Sequence, residues 1–164
     1  MDNEFPILPA LRSPRKHKPR EPIPVWVKQR YHQAHEQDFK TKYSQAYNNG
    51  MYFATKMPDT SKANGLTQAI IKFLLWSGHR ATRVSSSGRM IKGKYIPGAT
   101  RRGAADISAT IKGRSVMLEI KIGSDRPSQE QLREQELERK AGGCYEFVKS
   151  FEVFLGVYDQ LIKQ

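Results

Sequence analysis

Apolar and polar residues alternate from Ile107 to Ile111 and again from Ser115 to Ile122, with β-branched side chains in both runs and Lys112-Gly113 between them. That period of two predicts a β-hairpin, with glycine supplying the positive φ of a tight turn. Ile107, Ala109, Ile111, Val116, Leu118 and Ile120 then share one face, which is the core face. A two-residue turn at Lys112-Gly113 sets Asp106 opposite Glu119 and puts Lys121 on the same strand face as Glu119. A turn at Gly113-Arg114 would set Asp106 opposite Lys121 instead, with the facing unchanged.

Elsewhere the pattern has a helical period. Leu66, Ala69, Ile70, Phe73, Leu74 and Trp76 mark a helix that Thr60 or Asn64 can cap and Gly78 closes. A strand follows over about Arg80 to Ser85. A Gly-, Ser- and Lys-rich passage then runs from Ser86 to Gly103, with an edge strand near Lys94 to Ile96. Pro127-Ser128 opens a helix that reaches Lys140 and stops at Gly142-Gly143. A strand from Cys144 to Val148 and a helix capped by Ser150 complete an α-β-β-β-α-β-α order that begins near Ser61. Before it, Trp26, Tyr31, Phe39, Tyr43 and Tyr47 recur at near-helical spacing, which predicts a helix ending near Asn48-Asn49-Gly50 whose aromatic stripe serves packing.

Composition sets the frame. At 164 residues and 38% hydrophobic, the chain suits one domain with a modest core. Six of its nine prolines lie in residues 1–25 with the basic run Arg12 to Arg20, so residues 1–60 read as a basic, Pro-rich N-terminal arm with one helix and residues 61–164 as the folded domain. No apolar run approaches the roughly 18 residues of a membrane span, and the N-terminus lacks a signal-peptide pattern. The expectation is a soluble intracellular protein of the cytoplasm or nucleoid, with no membrane partner. A single cysteine, Cys144, excludes an internal disulfide framework and reads as a small buried strand residue.

Charge changes the picture more. The formal net charge is +12, distributed as +4 over residues 1–60, +9 over 61–125 and −1 over 126–164. A basic surface therefore surrounds the acidic pair, as expected where a phosphate backbone is brought to a metal, although a basic face for solubility or RNA packaging has the same composition. Directly opposed residues in an antiparallel pair have Cβ atoms about 4.5–5.5 Å apart, so Asp106 and Glu119 repel unless a cation neutralises them.

Gly103-Ala-Ala-Asp106, then Glu119-Ile-Lys121, then Ser128-x-x-Gln131 at a helix start, in this order of elements, resemble the PD-(D/E)XK nuclease superfamily. The resemblance is to its stand-alone VRR-NUC branch, near Holliday junction resolvase-type enzymes, and covers about residues 61–155. It implies an α/β (α+β) restriction-endonuclease-like core, αβββαβ, with a central mixed sheet flanked by helices. It also implies a Mg²⁺- or Mn²⁺-dependent endonuclease that hydrolyses DNA. In that family Asp106, Glu119 and the main-chain carbonyl of Ile120 would bind the metal. Lys121 would activate water and stabilise charge on the phosphate, and Gln131 would orient the lysine or a phosphate. Junction-cutting relatives act as two-fold homodimers.

One departure stands out. Many relatives carry a glutamate in the first helix, whereas this helix offers Asn64, Thr67 and Gln68, with Gln68 the expected occupant of that place. Ahead of Asp106, Arg83, Ser86, Gly88, Arg89, Lys92, Lys94, Arg101, Arg102 and Gly103 form a candidate phosphate-binding stretch; such contacts position a backbone without reading sequence, which predicts structure selectivity. His32-x-x-His35 has metal-ligand spacing with no acid or cysteine placed beside it, and reads as surface; His79 reads as a hydrogen-bonding residue at a helix end. No P-loop, G-x-S-x-G or dinucleotide fingerprint is present. Two other functions compete: a catalytically silent nucleic-acid-binding module on the same fold, and a structural RNA-binding protein without a metal site.

Overall fold

The computed structural model describes residues 22–84, 89–91, 93–96 and 103–163. Along the chain run α1 (Val25–Lys42), α2 (Ser44–Asn48), α3 (Ala63–Trp76), β1 (Arg80–Arg83), β2 (Arg89–Ile91), β3 (Lys94–Ile96), β4 (Ile107–Ile111), β5 (Arg114–Ile120), α4 (Gln129–Lys140), β6 (Cys144–Val148) and α5 (Phe151–Lys163). β1, β4, β5 and β6 form a four-stranded sheet in that order, antiparallel up to β5 and parallel between β5 and β6, with α4 as the crossover. This is the mixed α+β core that the motif order implies. The basic passage adds a hairpin of its own, β2 with β3, apart from the main sheet.

One sheet face is apolar because the strands alternate. Ile107, Ala109, Ile111, Val116, Leu118 and Ile120 are all buried there against Leu66, Ile70, Phe73 and Leu74 of α3 and Phe151, Phe154, Leu155 and Tyr158 of α5. Cys144 is buried on β6, paired with Val116. Helix α3 ends as its glycine predicts, with Gly78 at φ +78 and the His79 N–H donating to the Leu74 carbonyl. The His79 ring then lies 3.2 Å from the Tyr158 hydroxyl.

Two boundaries differ from expectation. Neither Thr60 nor Asn64 caps α3; Lys62 occupies the N-cap position without a side-chain bond. The reason is the loop before it, where Asp59 accepts from the Ser61 main chain and hydroxyl and its carbonyl from Lys62. That carbonyl presses so close that a Cβ at Gly65 would lie 2.0 Å from it. The N-terminal helix also breaks earlier than Tyr47, at Tyr43 (φ −132, ψ 49), before the single turn of α2.

Helix α1 is a layer of the same core. Val27 and Tyr31 are wholly buried, and the Tyr31 ring meets Trp76 and Phe151 edge-on at 5.0 and 5.6 Å. Arg30 grips Asp159 of α5 through both guanidinium nitrogens, one at 2.6 Å. That bond holds the Asp159 carboxyl below its ordinary range. Both partners remain about a third exposed, so the pair is worth roughly 0.5–1 kcal/mol after screening. Because the folded-state value is depressed, this stability is present above the ordinary carboxylate pKa and lost as pH falls through the lowered one. Asp159→Asn is therefore expected to cost up to about 1 kcal/mol in urea denaturation at pH 7, with the difference from wild type shrinking as pH falls through the lowered carboxyl value.

Candidate active site

The site is built by the β4–β5 hairpin. Lys112 and Gly113 both take positive φ (50° and 77°), the two-residue turn that matches the twist of paired strands, and it fixes Ile107 opposite Leu118. Asp106 is one step beyond that pair, where the register continues to Glu119. Its carboxylate accepts the Ile120 N–H at 3.0 Å, while its own carbonyl accepts from Val84 at the end of β1. Both hydrogen bonds pin Asp106 to its neighbouring strands.

Glu119 and Lys121 are 6% and 5% exposed, and the lysine ammonium lies 3.2 Å from a Glu119 carboxylate oxygen. The Lys121 N–H donates to the Val148 carbonyl, so β6 carries the ladder to this point. Burial, and then the charge of Asp106, push the Glu119 carboxyl above its usual range; Lys121 opposes the shift. A buried acid strained by a second acid is what a cation would relieve. Burial, with Glu119 and Asp106 behind it, likewise raises the Tyr145 phenol.

Helix α4 covers this face without burying one apolar residue. It is started by a capping box: the Ser128 hydroxyl accepts from Gln131 N–H, and the Gln131 side-chain oxygen accepts from Ser128 N–H at 2.9 Å. The same Gln131 amide donates to Glu119 at 2.5 Å, so it orients the carboxylate, where the family implied the lysine or a phosphate. One helical turn apart, Gln135 donates to the Tyr145 carbonyl and Glu138 accepts from the Ser115 hydroxyl. The helix is docked by hydrogen bonds.

Gly103 belongs to this docking. At φ +84 it runs so close to α4 that a Cβ would lie 2.6 Å from the Glu130 carbonyl, and its own carbonyl accepts from the Tyr145 hydroxyl at 3.0 Å. Gly103→Ala must displace the first turn of α4 or the segment leading to Asp106. A loss of about 1–3 kcal/mol in chemical denaturation is expected, with a larger fall in activity than the stability loss alone explains.

Other expected site residues are placed differently. Arg83 pairs with Ile107 and therefore points to the core side of the sheet, where it donates to Asn64 at 2.8 Å instead of sharing the carboxylate face. Gln68 is exposed, half a turn of α3 away from the Leu66–Ile70 stripe, and is not brought to the carboxylates. Arg89 and Lys94 lie in the β2–β3 hairpin, and Ser86, Gly88, Lys92, Arg101 and Arg102 lie outside the described residues. His35 is not a surface residue: its ring packs 4.6 Å from Trp76 and 5.6 Å from Tyr52, and burial lowers its pKa. Asp125 was not foreseen. Its carboxylate stands 3.4 Å from the Lys121 ammonium, four residues on in the chain.

Among the described residues no group of three His, Cys, Asp or Glu side chains gathers as a metal cage. No helix of the described residues is long and apolar enough to cross a membrane. No family model and no curated protein matches the sequence. A solved structure described as a VRR_NUC domain aligns over 64% of this chain and 95% of that chain, at 23% identity and a TM-score of 0.39.

Proposed function

We propose that this chain is a divalent-metal-dependent endonuclease of the PD-(D/E)XK type, in its VRR-NUC branch, that hydrolyses phosphodiester bonds of DNA. The observation that carries the reading is the convergence of Asp106, Glu119 and Lys121 at one end of β4 and β5, with Glu119 fixed by Gln131. Two carboxylates fit Mg²⁺ or Mn²⁺, which bind through one or two acids and keep several waters, better than they fit a metal that needs a closed cage of protein ligands. Asp106 and Glu119 would hold the ion together with the Ile120 carbonyl. When bound, it would act as a Lewis acid on the phosphoryl oxygen and lower the pKa of water.

The chain's own groups supply the rest. Lys121, buried and paired to Glu119, directs its ammonium to the place where negative charge grows on the phosphoryl oxygens as a water oxygen adds to phosphorus and the ester oxygen leaves. Gln131 keeps Glu119 from turning away, because its amide oxygen is held by the Ser128 N–H at the α4 start while its amide nitrogen donates to the carboxylate. Asp106 is held by two strands. Backbone contacts through the basic passage would make the enzyme selective for structure, such as branched or junction DNA, and symmetric cutting of a junction would need a homodimer.

The catalytically silent module is the second reading, favoured by one observation: α3 adds no acid, and Gln68 faces solvent. A panel of labelled junction, flap, duplex and single-stranded DNAs, incubated with Mg²⁺ or Mn²⁺, separates the two. The nuclease reading expects cleavage, fastest on branched forms and at least about a hundredfold slower in Lys121→Ala. Salt-sensitive binding with no cleavage by either protein would support the silent module.

A further inference from the structure

The β4–β5 turn, the end of α3 and the last turns of α5 enclose an open cleft of about 670 Å³ at the sheet end opposite the carboxylates. Lys112 lies six residues beyond Asp106 along the hairpin, so roughly 20 Å separates the two places. Ser77 and His79 from the end of α3, the cross-strand pair Arg80 and Thr110, Lys112 of the turn and Tyr158 of α5 line the cleft. None of them serves the proposed cleavage centre.

Its chemistry is that of an anion site. Arg80 and Lys112 bring two fixed positive charges, and no carboxylate is among the lining residues. Neither side chain has an ion-pair partner among the described residues. The field of Lys112 reaches the His79 ring, whose pKa is lowered by burial first and by that charge second. The ring stands 3.2 Å from the hydroxyl of Tyr158, itself 8% exposed, so these two groups form a fixed wall. The negative end of α3 is blunted here, because the Phe73, Leu74 and Leu75 carbonyls accept from the N–H groups of Ser77, His79 and Gly78.

A separate observation concerns the backbone. Lys112 takes φ +50 at the first position of a turn that suits Asn, Asp or Gly and strains a longer side chain. A lysine in that conformation sets an ammonium at the cleft at a cost to the turn, which is the mark of a residue placed for what it binds.

We propose that this cleft binds a phosphate group, with the Arg80 guanidinium as a two-pronged donor, Lys112 as a point charge and the His79 ring beside them. The group is carried by a nucleic-acid strand or is free in solution. The site stands without the nuclease reading; only its place on a cleaved strand, about 20 Å from the cut bond, rests on that reading.

Two probes test this on the full chain in EDTA: inorganic phosphate, followed by the NMR signals of the His79 ring, and a labelled single-stranded DNA, followed by fluorescence anisotropy across a salt series. Lys112→Asn removes the charge with a residue that suits the turn, and Arg80→Gln removes the other. Each is expected to weaken the binding of phosphate about tenfold. If a strand carries the group, each also weakens DNA binding and lowers its salt slope by about 0.7; if the ligand is free, DNA binding stays as in the wild type. Wild-type affinity of both variants for both probes, no binding of either probe by the wild type, or a loss of DNA affinity at unchanged salt slope overturns the site. Cleavage with Mg²⁺ is read separately. Weakened binding in the variants of a protein that never cleaves keeps the site and removes the nuclease reading, whereas unaltered binding with Lys121-dependent cleavage does the reverse.

Discussion

Asp106→Asn is expected to move stability and activity in opposite directions. Cleavage should fall at least about a hundredfold, since one of two carboxylates that would hold the ion is gone. Stability in metal-free buffer should stay level or rise by up to about 1 kcal/mol. The asparagine carbonyl can still accept the Ile120 N–H, so the strand contact survives, while the charge that helps push Glu119 upward disappears. The wild type should gain melting temperature on adding Mn²⁺, by mass action on the folded state, and the variant should gain little. Thermal melts with and without the ion, beside a cleavage assay, check all three. A variant that is both inactive and strongly destabilised would mean that Asp106 serves the fold.

The second large effect concerns the core. Tyr31→Ala is expected to cost about 3–5 kcal/mol, because a wholly buried ring wedged between Trp76 and Phe151 leaves a cavity that two other layers line. Its hydroxyl is buried without a hydrogen bond among the described residues, so the ring's packing supplies the stabilisation. Tyr31→Phe should accordingly be neutral or slightly stabilising. Urea denaturation of both variants measures this. A small loss in Tyr31→Ala would show that α1 is dispensable to this core.

The facing of the hairpin was legible because a strict period of two fixes it locally; the register stayed open between two turns, and Lys112 and Gly113 at positive φ decide it. The start of α4 was legible for the same reason, since Ser128 and Gln131 carry their capping bonds within four residues. What α4 does next was not. Hydropathy finds docked helices by their apolar stripe, and this helix docks with Gln131, Gln135 and Glu138 on polar partners of the sheet. Helix α1 hid its place in the core in a similar way, since only Val27 and Tyr31 are buried in an otherwise polar 18-residue helix. Arg83 was expected among the phosphate ligands because of its charge, but its direction depends on the pairing of β1 with β4, a contact between distant segments that no local pattern encodes. Gln68 is the opposite case. Its place opposite the buried stripe follows from the helical period alone, and the family likeness had drawn it toward the metal.

The central claim is that Asp106 and Glu119 form a divalent-metal centre, and calorimetric titration of Mn²⁺ into wild-type and Glu119→Ala protein addresses it most directly. Saturable binding is expected in the wild type and its loss in the variant, with the variant still folded. Absence of Mn²⁺ binding in the wild type, or equal binding in both proteins, would contradict it.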